Sequence, residues 1–142
     1  MKYCRINLEK TNYQLHSGVL LQYPPVPKLK EIFKKYALYR NLDGIMPIFD
    51  SQFTDVNNDV FCYYYNGDIV AFSLCRRHDS TNVESVQFAW DYEEPRLRLG
   101  IKSLEHECAF YKLNGYKFLY LGPTEQYKTN MDGFEELTYD DL

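Results

Sequence analysis

The chain lacks the residue groupings that hold metal ions or cross membranes. Its four cysteines are scattered, with no Cys-x-x-Cys spacing and no pairing with histidine, which predicts reduced, buried thiols and no metal site. No run approaches the roughly eighteen apolar residues of a membrane-spanning helix. The N-terminus also lacks the apolar core of a signal peptide. We therefore expect a cytoplasmic protein that binds no metal and no membrane.

Positive charge is scarce as well. Sixteen Lys and Arg residues stand against twenty Asp and Glu, which gives a net charge of −4. An acidic chain has no long-range attraction for a nucleic-acid backbone. No linker or low-complexity tract divides the 142 residues, so a single domain is predicted over 1–142. Within it, residues 1–28 would form a strand and an extended segment, and 138–142 an acidic tail.

The chain does contain a clear order of secondary-structure elements. Asn66-Gly67 separates two runs rich in β-forming residues and predicts a hairpin. Both faces of its strands are apolar, so we expect the hairpin to be covered on each side. A helix predicted over 101–114 lies between two strands, which should therefore be parallel. With a first strand and an amphipathic helix near 28–44, the order is strand, helix, three antiparallel strands, helix, strand and tail, an α/β pattern.

The most specific chemistry lies in "RLRLGIKSLEHECAF", residues 96–110. A strand ends before it and a helix begins near Ile101, so the free N–H groups of the first helical turn would form a site for an anion. Gly100 would let a ligand approach the backbone closely, and Arg98 and Lys102 add positive charge. The alternative is an ordinary strand-to-helix connection that needs glycine only for the turn.

The order of elements resembles that of the GNAT acyltransferases, whose acyl-CoA motif is Q/R-x-x-G-x-G/A at this same turn. Here the motif falls on residues 97–102, with Leu97 in its first position and Lys102 in place of the final small residue. The resemblance implies a GNAT-like domain with a mixed sheet, an antiparallel meander followed by a β-α-β crossover. It assigns donor binding to Arg98, Leu99, Gly100, Ile101, Lys102 and Ser103.

A closer resemblance is to the catalytic domain of arginyl and leucyl aminoacyl-tRNA–protein transferases. Its pattern Y-D-P … S-L-G-x-x-S-x-x-x-E-x-A is similar to "WDYEEPRLRLGIKSLEHECAF", with matches at Asp91, Leu99, Gly100, Ser103, Glu107 and Ala109. "IFKKYALYRNLDGIM" is similar to the family's aromatic helix, which ends in a Gly-Met pair. "YLGPTEQYKTNMDGFEEL" is similar to its ending, with matches at Tyr127, Lys128 and Glu135. The three segments span about residues 30–137.

The resemblance implies transfer of an acyl or aminoacyl group to an amine, which would be a protein N-terminus or a small molecule. The donor stays open between acyl-CoA and aminoacyl-tRNA. The acidic charge disfavours tRNA as a partner, and Lys102 disfavours the usual contact with CoA. A GNAT-like binding module without catalysis is the alternative function.

Five further residues are candidates for the chemistry. Tyr127 follows the last strand, where GNAT-like enzymes often place a tyrosine that protonates the leaving group. Glu84 is the candidate base, acting through water from the apolar face of its strand; a solvated strand-end residue is the alternative. Lys128 and Arg40 are the candidate substrate contacts, although Lys128 could equally be a solvated surface residue. Glu107 is expected to hold its helix against Arg40 or Lys128.

Overall fold

The computed structural model describes residues 2–41, 45–91 and 98–138, in which one mixed sheet carries a helix on each face. The elements are β1 (Tyr3–Asn7), β2 (Val19–Leu20), α1 (Val26–Tyr39), β3 (Asn58–Tyr65), β4 (Asp68–Arg77), β5 (Asn82–Trp90), α2 (Leu99–Leu113), β6 (Phe118–Pro123) and β7 (Phe134–Leu137). Short 3-10 helices cover Leu8–Lys10, Asp50–Phe53 and Gln126–Asn130. The strand order is β2-β3-β4-β5-β6-β1-β7, with β5 and β6 parallel and the other neighbours antiparallel.

The centre of the sheet confirms the predicted hairpin and crossover. Asn66 and Gly67, between β3 and β4, have φ angles of 51° and 84°, as a two-residue hairpin turn requires. β4 is buried without interruption from Val70 to Cys75, so both of its faces are covered. The parallel pairing of β5 and β6 on either side of α2 confirms the crossover.

The two helices pack on opposite faces of the sheet. α1 packs on β4 and β5 and buries Leu29 and Ile32. Gly44, the last residue of the stretch 28–44 predicted for this helix, lies outside the described residues. α2 covers the other face and ends at Leu113, close to the predicted 114; Gly115 (φ 87°) follows and donates its N–H to the Lys112 carbonyl at 3.1 Å. No helix in the described part of the chain combines the length and apolarity needed to cross a bilayer.

The structure adds a strand that the sequence analysis does not predict. Residues 134–137 form β7, and β1 lies between β6 and β7, pairing antiparallel with both. Arg5 of β1 and Glu135 of β7 form an ion pair of 2.8 Å. The short acidic run therefore has partners across the sheet, which its sequence pattern alone does not indicate. Of the predicted tail, residues 139–142 lie outside the described residues.

Candidate functional site

The two parallel strands separate and leave a fork in the sheet. β5 and β6 share three registered pairs, the last being Glu84 with Tyr120. A register shift in the β4–β5 pairing follows directly, because Cys75 faces Ser85 while Leu74 faces Gln87. The extra residue in β5 is a β-bulge, which bends a strand and ends its pairing. Beyond it, among the described residues, β5 pairs with β4 alone.

Backbone groups of β5 face into the fork. The Asp91 N–H donates to the Val70 carbonyl of β4 at 2.7 Å. Because alternate residues of a strand direct their backbone groups to opposite sides, the N–H groups of Phe88 and Trp90 point toward the fork. The Gln87 side-chain amide donates to the Phe88 carbonyl at 2.8 Å. The fork therefore contains donors suited to an oxygen that develops negative charge.

The first turn of α2 is open to solvent at Gly100. Apart from its chain neighbours and its own helix backbone, a Cβ added there would meet no heavy atom of the described residues within 4 Å. Gly100 lies inside the helix and has no positive φ, so neither packing nor the turn explains the glycine. Arg98, in the left-handed region with φ 53°, is the exposed N-cap residue, and its carbonyl accepts the Lys102 N–H at 3.0 Å. The N–H groups before Lys102 have no acceptor within the helix.

Only part of the predicted donor-binding set can touch a ligand. The side chains of Gly100's neighbours Ile101 and Lys102 are exposed, whereas that of Leu99 is buried in the core. Ser103 is also buried, and its hydroxyl donates to the Gly100 carbonyl at 3.2 Å. The assignment of Ser103 to the donor is corrected to a structural role, because its position in the second turn faces the sheet.

Tyr127 and Lys128 lie in the 3-10 helix after β6. Tyr127 is 44% exposed, yet desolvation by the residues around it raises its pKa above the usual range, and the Glu125 carboxylate adds to this effect. The Tyr127 phenol is therefore protonated at neutral pH. Lys128 is buried, and its ammonium donates to the Leu121 carbonyl at 3.2 Å and lies 3.4 Å from the Glu125 carboxylate. It is not the solvated surface lysine that the sequence allowed.

Arg40 lies just after the end of α1, beside the wide end of the fork. Its guanidinium donates to the Tyr36 hydroxyl at 3.3 Å, and the Tyr36 ring meets Phe88 of β5 edge-on at 6.4 Å. Tyr36 and Arg40 both act electrostatically on the pKa of Tyr127. The structure thus brings Arg40 and Tyr127 together and adds Tyr36, which the sequence analysis does not single out. The four-residue spacing of Tyr36 and Arg40, which stacks them on one helical face, was the available signal.

Glu84 stands apart from this group, at the closed end of the fork. Its side chain is 43% exposed, and its carboxylate lies 2.8 Å from His78 Nε2. The expected burial on the apolar face of β5 is therefore wrong. The bulge after Ser85 offsets the residues beyond it, so Glu84 does not share their environment.

Glu107 does not contact Arg40 or Lys128, which corrects the expected pairing. Its side chain is 1% exposed and accepts a hydrogen bond of 2.6 Å from the Tyr63 hydroxyl, with Cys75 Sγ at 3.6 Å. Burial raises the pKa of Glu107 to about 7, and these hydrogen bonds only partly oppose it. The structural role predicted for Glu107 is present, but it joins α2 to β3 and β4.

Comparison with known proteins gives the fold a name. No family model and no curated protein matches the chain. Among solved structures, the C-terminal domain of a putative lysylphosphatidylglycerol synthetase from Agrobacterium fabrum superposes with a TM-score of 0.65 at 11% identity, over 85% of this chain and 45% of that one. A putative GNAT-family acetyltransferase from Novosphingobium aromaticivorans superposes with 0.64 at 17%, over 94% and 58%. The fold is that of the GNAT acyltransferases.

A third neighbour is the ribosomal-protein-S18-alanine N-acetyltransferase of Escherichia coli, with a TM-score of 0.58 at 18% identity, over 73% of this chain and 65% of that one. The chain spans less than half of the synthetase domain. At these identities the likeness concerns the GNAT fold, and the chemistry has to be argued from the chain's own residues.

Proposed function

We propose that this chain is an N-acyltransferase that moves an acyl group from an anionic donor to a primary amine at the β5–β6 fork. The observation that carries the proposal is the fork itself, with open backbone donors on β5, a protonated Tyr127 near its wide end and an open helix N-terminus at Gly100. Neighbours with this fold include enzymes named as acetyltransferases of amines, and a yeast N-myristoyltransferase with bound myristoyl-CoA.

The donor would lie along β5. Its phosphate end would bind the free N–H groups around Gly100, where Arg98 and Lys102 supply positive charge. From Trp90 back to Glu84 the strand runs about 20 Å, at roughly 3.3 Å per residue. An extended arm of this length, such as that of an acyl thioester, would bring its carbonyl into the fork beside the N–H groups of β5.

The reaction needs one nucleophile and two proton transfers. A neutral amine attacks the carbonyl carbon, the Phe88 N–H group stabilises the oxyanion, and the bond to the donor's sulfur or oxygen then breaks. The leaving atom takes the Tyr127 hydroxyl proton, and solvent reprotonates the phenolate. The nitrogen loses its proton to water in the fork, and a chain of waters would carry the proton to Glu84, roughly 13 Å along the strand from Phe88.

An aminoacyl donor is the second candidate. Two observations favour it: the motif matches to aminoacyl-tRNA–protein transferases, and the structural likeness to a domain whose protein is named as a lysylphosphatidylglycerol synthetase. The net charge of −4 opposes binding of a whole tRNA. We therefore rank an acyl-CoA donor first.

Calorimetric titration with acetyl-CoA at low salt tests the first candidate. Micromolar binding, about −8 kcal/mol, supports a CoA donor, whereas no heat up to millimolar ligand overturns it. Transfer from labelled aminoacyl-tRNA would then be measured.

Turnover separates catalysis from mere binding. Tyr127→Phe should lower kcat about 100-fold with little change in donor KM, because it removes only the proton for the leaving group. Tyr23→Phe, at a largely exposed tyrosine, is the matched control and should be unchanged. A chain that binds acetyl-CoA but acylates no amine is a binding module, and the proposal fails.

A further inference from the structure

An open cavity of about 550 Å³ lies against the half of the sheet formed by β5, β6, β1 and β7. Its lining includes Tyr3, Glu84, Tyr120, Gly122 and Leu137. These residues come from four strands, so the cavity belongs to the sheet itself and does not depend on one loop.

The cavity opens on the face of the sheet opposite α2. Val83 and Leu119 belong to the core cluster under α2. Their strand neighbours Glu84 and Tyr120 therefore point to the other face. α1 shares that face but packs on β4 and β5, beside the cavity.

The cavity meets the proposed site at one point. Glu84 and Tyr120 line it, and they are also the last registered pair before the strands separate. A molecule in the cavity would therefore reach the closed end of the fork from one face, while the donor would enter from the α2 side. Two substrates could meet in the fork without sharing a binding surface.

The lining favours a ligand that carries a positive charge on a flat apolar group. Tyr3, 43% exposed, offers apolar surface, whereas Leu137 beside it is buried. Of the two rim carboxylates, Glu84 has an oxygen to offer: its Oε1 lies 2.8 Å from Nε2 of His78, which also lines the cavity, and Oε2 faces a ligand. Both oxygens of Asp79 already accept hydrogen bonds from Thr81 or Asn82.

Two basic side chains bear on the charge of the cavity. His78 lines it with Nε2 2.8 Å from Glu84 Oε1, so a ligand ammonium would bind at Glu84 Oε2. Arg5 stacks on Phe118 at 3.8 Å and pairs with Glu135 at 2.8 Å, so its charge is balanced by that carboxylate. An aromatic surface next to a carboxylate is an arrangement that binds ammonium groups.

We propose that this cavity binds the acyl acceptor and that the acceptor is a small primary amine carried on an aromatic or similarly flat apolar group. The role of the bound amine as acceptor rests on the proposed function, whereas binding of the amine in the cavity does not. Glu84 would hold the ammonium in the cavity and, after deprotonation through water, leave the amine at the fork.

Binding is measured first, by NMR titration of the whole chain without any donor. The probes are 2-phenylethylamine, which has ring and charge, 2-phenylethanol, which has only the ring, and ethylamine, which has only the charge. We expect 2-phenylethylamine to bind at least about fivefold more tightly than either analogue, since ring and ammonium both contribute. Equal affinities for the three probes, or tighter binding of ethylamine, overturn the proposal.

Two variants locate the probe. Tyr3→Ala and Glu84→Gln should each weaken the binding of 2-phenylethylamine by about three- to tenfold. Tyr65→Ala is the matched control for Tyr3, being a strand tyrosine of the same 43% exposure at the other side of the sheet, and Glu31→Gln on α1 is the control for Glu84. If the controls weaken binding as much as the cavity variants, the site lies elsewhere and the proposal is wrong.

The two proposals fail separately. Addition of acetyl-CoA to the complex should give N-acetyl-2-phenylethylamine. Cavity binding without acetylation contradicts the N-acetyltransferase function and leaves an amine-binding cavity, whereas acetylation of ethylamine in clear preference contradicts the cavity's role as acceptor site. Sisomicin, a polycation bound by a neighbour of the same fold, serves as a third comparison. If it is acetylated in preference to 2-phenylethylamine, the proposed flat apolar group on the acceptor is wrong.

Discussion

Replacing Gly100 by alanine should stabilise the protein and at the same time weaken its binding to an acyl donor. The residue lies in the first turn of α2 without positive φ, and an added Cβ would come within 4 Å of no other part of the chain that the structure describes. Alanine gains about 0.5–1 kcal/mol over glycine in a helix at a compatible position. For a domain of this size, this corresponds to a rise in Tm of roughly 2–5 °C.

Donor affinity should change in the opposite direction. A methyl group at Gly100 would occupy the space through which a phosphate approaches the helix N-terminus, so we expect at least a tenfold loss, about 1.4 kcal/mol. Thermal unfolding and calorimetric titration with acetyl-CoA measure the two effects on the same protein samples. Gly100→Ala with wild-type donor affinity would refute the assignment of this turn to the donor.

Gly67→Ala is the matched control for this substitution. Gly67 sits in the β3–β4 turn with φ 84°, where an alanine side chain is strained, so the variant should lose about 1 kcal/mol of unfolding free energy. Its donor affinity should stay that of the wild type. If both glycine variants shift stability in the same direction, the reasoning from local backbone conformation is wrong.

Two further changes test the core and the sheet edge. Burial raises the pKa of the Glu107 carboxyl from 4.5 in the unfolded chain to about 7 in the folded protein. Between pH 4.5 and about 7 the folded state therefore binds a proton that the unfolded state has lost. The free energy of unfolding should fall by roughly 3 kcal/mol as pH rises through this range. Urea titrations at several pH values measure this dependence. Glu107→Gln should make the free energy of unfolding nearly independent of pH in this range, and an unchanged dependence contradicts the prediction. Arg5→Ala should lower the free energy of unfolding by about 1–2 kcal/mol, because the stacking on Phe118 and the ion pair with Glu135 are lost. Lys2→Ala, at an exposed lysine, is the control and should cost under about 0.5 kcal/mol. Equal losses of stability for the two variants in thermal unfolding would contradict the prediction.

Local signals in the sequence were enough for much of the fold. Asn66-Gly67 determines its hairpin through backbone conformations that few other dipeptides adopt, and the helix between two strands determines the parallel pairing of β5 and β6 through chain geometry. The GNAT fold follows from this order of elements. The organisation as one domain over 1–142 and the cytoplasmic location remain predictions.

Long-range partners were not predictable from the same signals. Nothing in the sequence "SVQFAW" indicates the bulge in β5, yet the bulge separates Glu84 from the apolar residues of its strand. The partners of Glu107 lie on β3 and β4, 44 and 32 residues away, and no periodicity along α2 indicates them. β1 lies between β6 and β7, where it buries Cys4 and Ile6 and pairs Arg5 with Glu135, contacts between residues about 130 positions apart in sequence.

α2 connects the buried carboxyl to the candidate site. An open first turn provides few contacts of its own, so the direction of its N–H groups has to be fixed from further along the helix. The Tyr63 hydroxyl, 2.6 Å from the Glu107 carboxyl and 3.3 Å from the Ser103 carbonyl, provides that anchor within two turns of Gly100. The anchor is a hydrogen-bonded pair in the core, so it limits rotation of α2 as well as its distance from the sheet. If the first turn of α2 binds the donor, its preorganisation therefore depends on a residue that never touches a ligand.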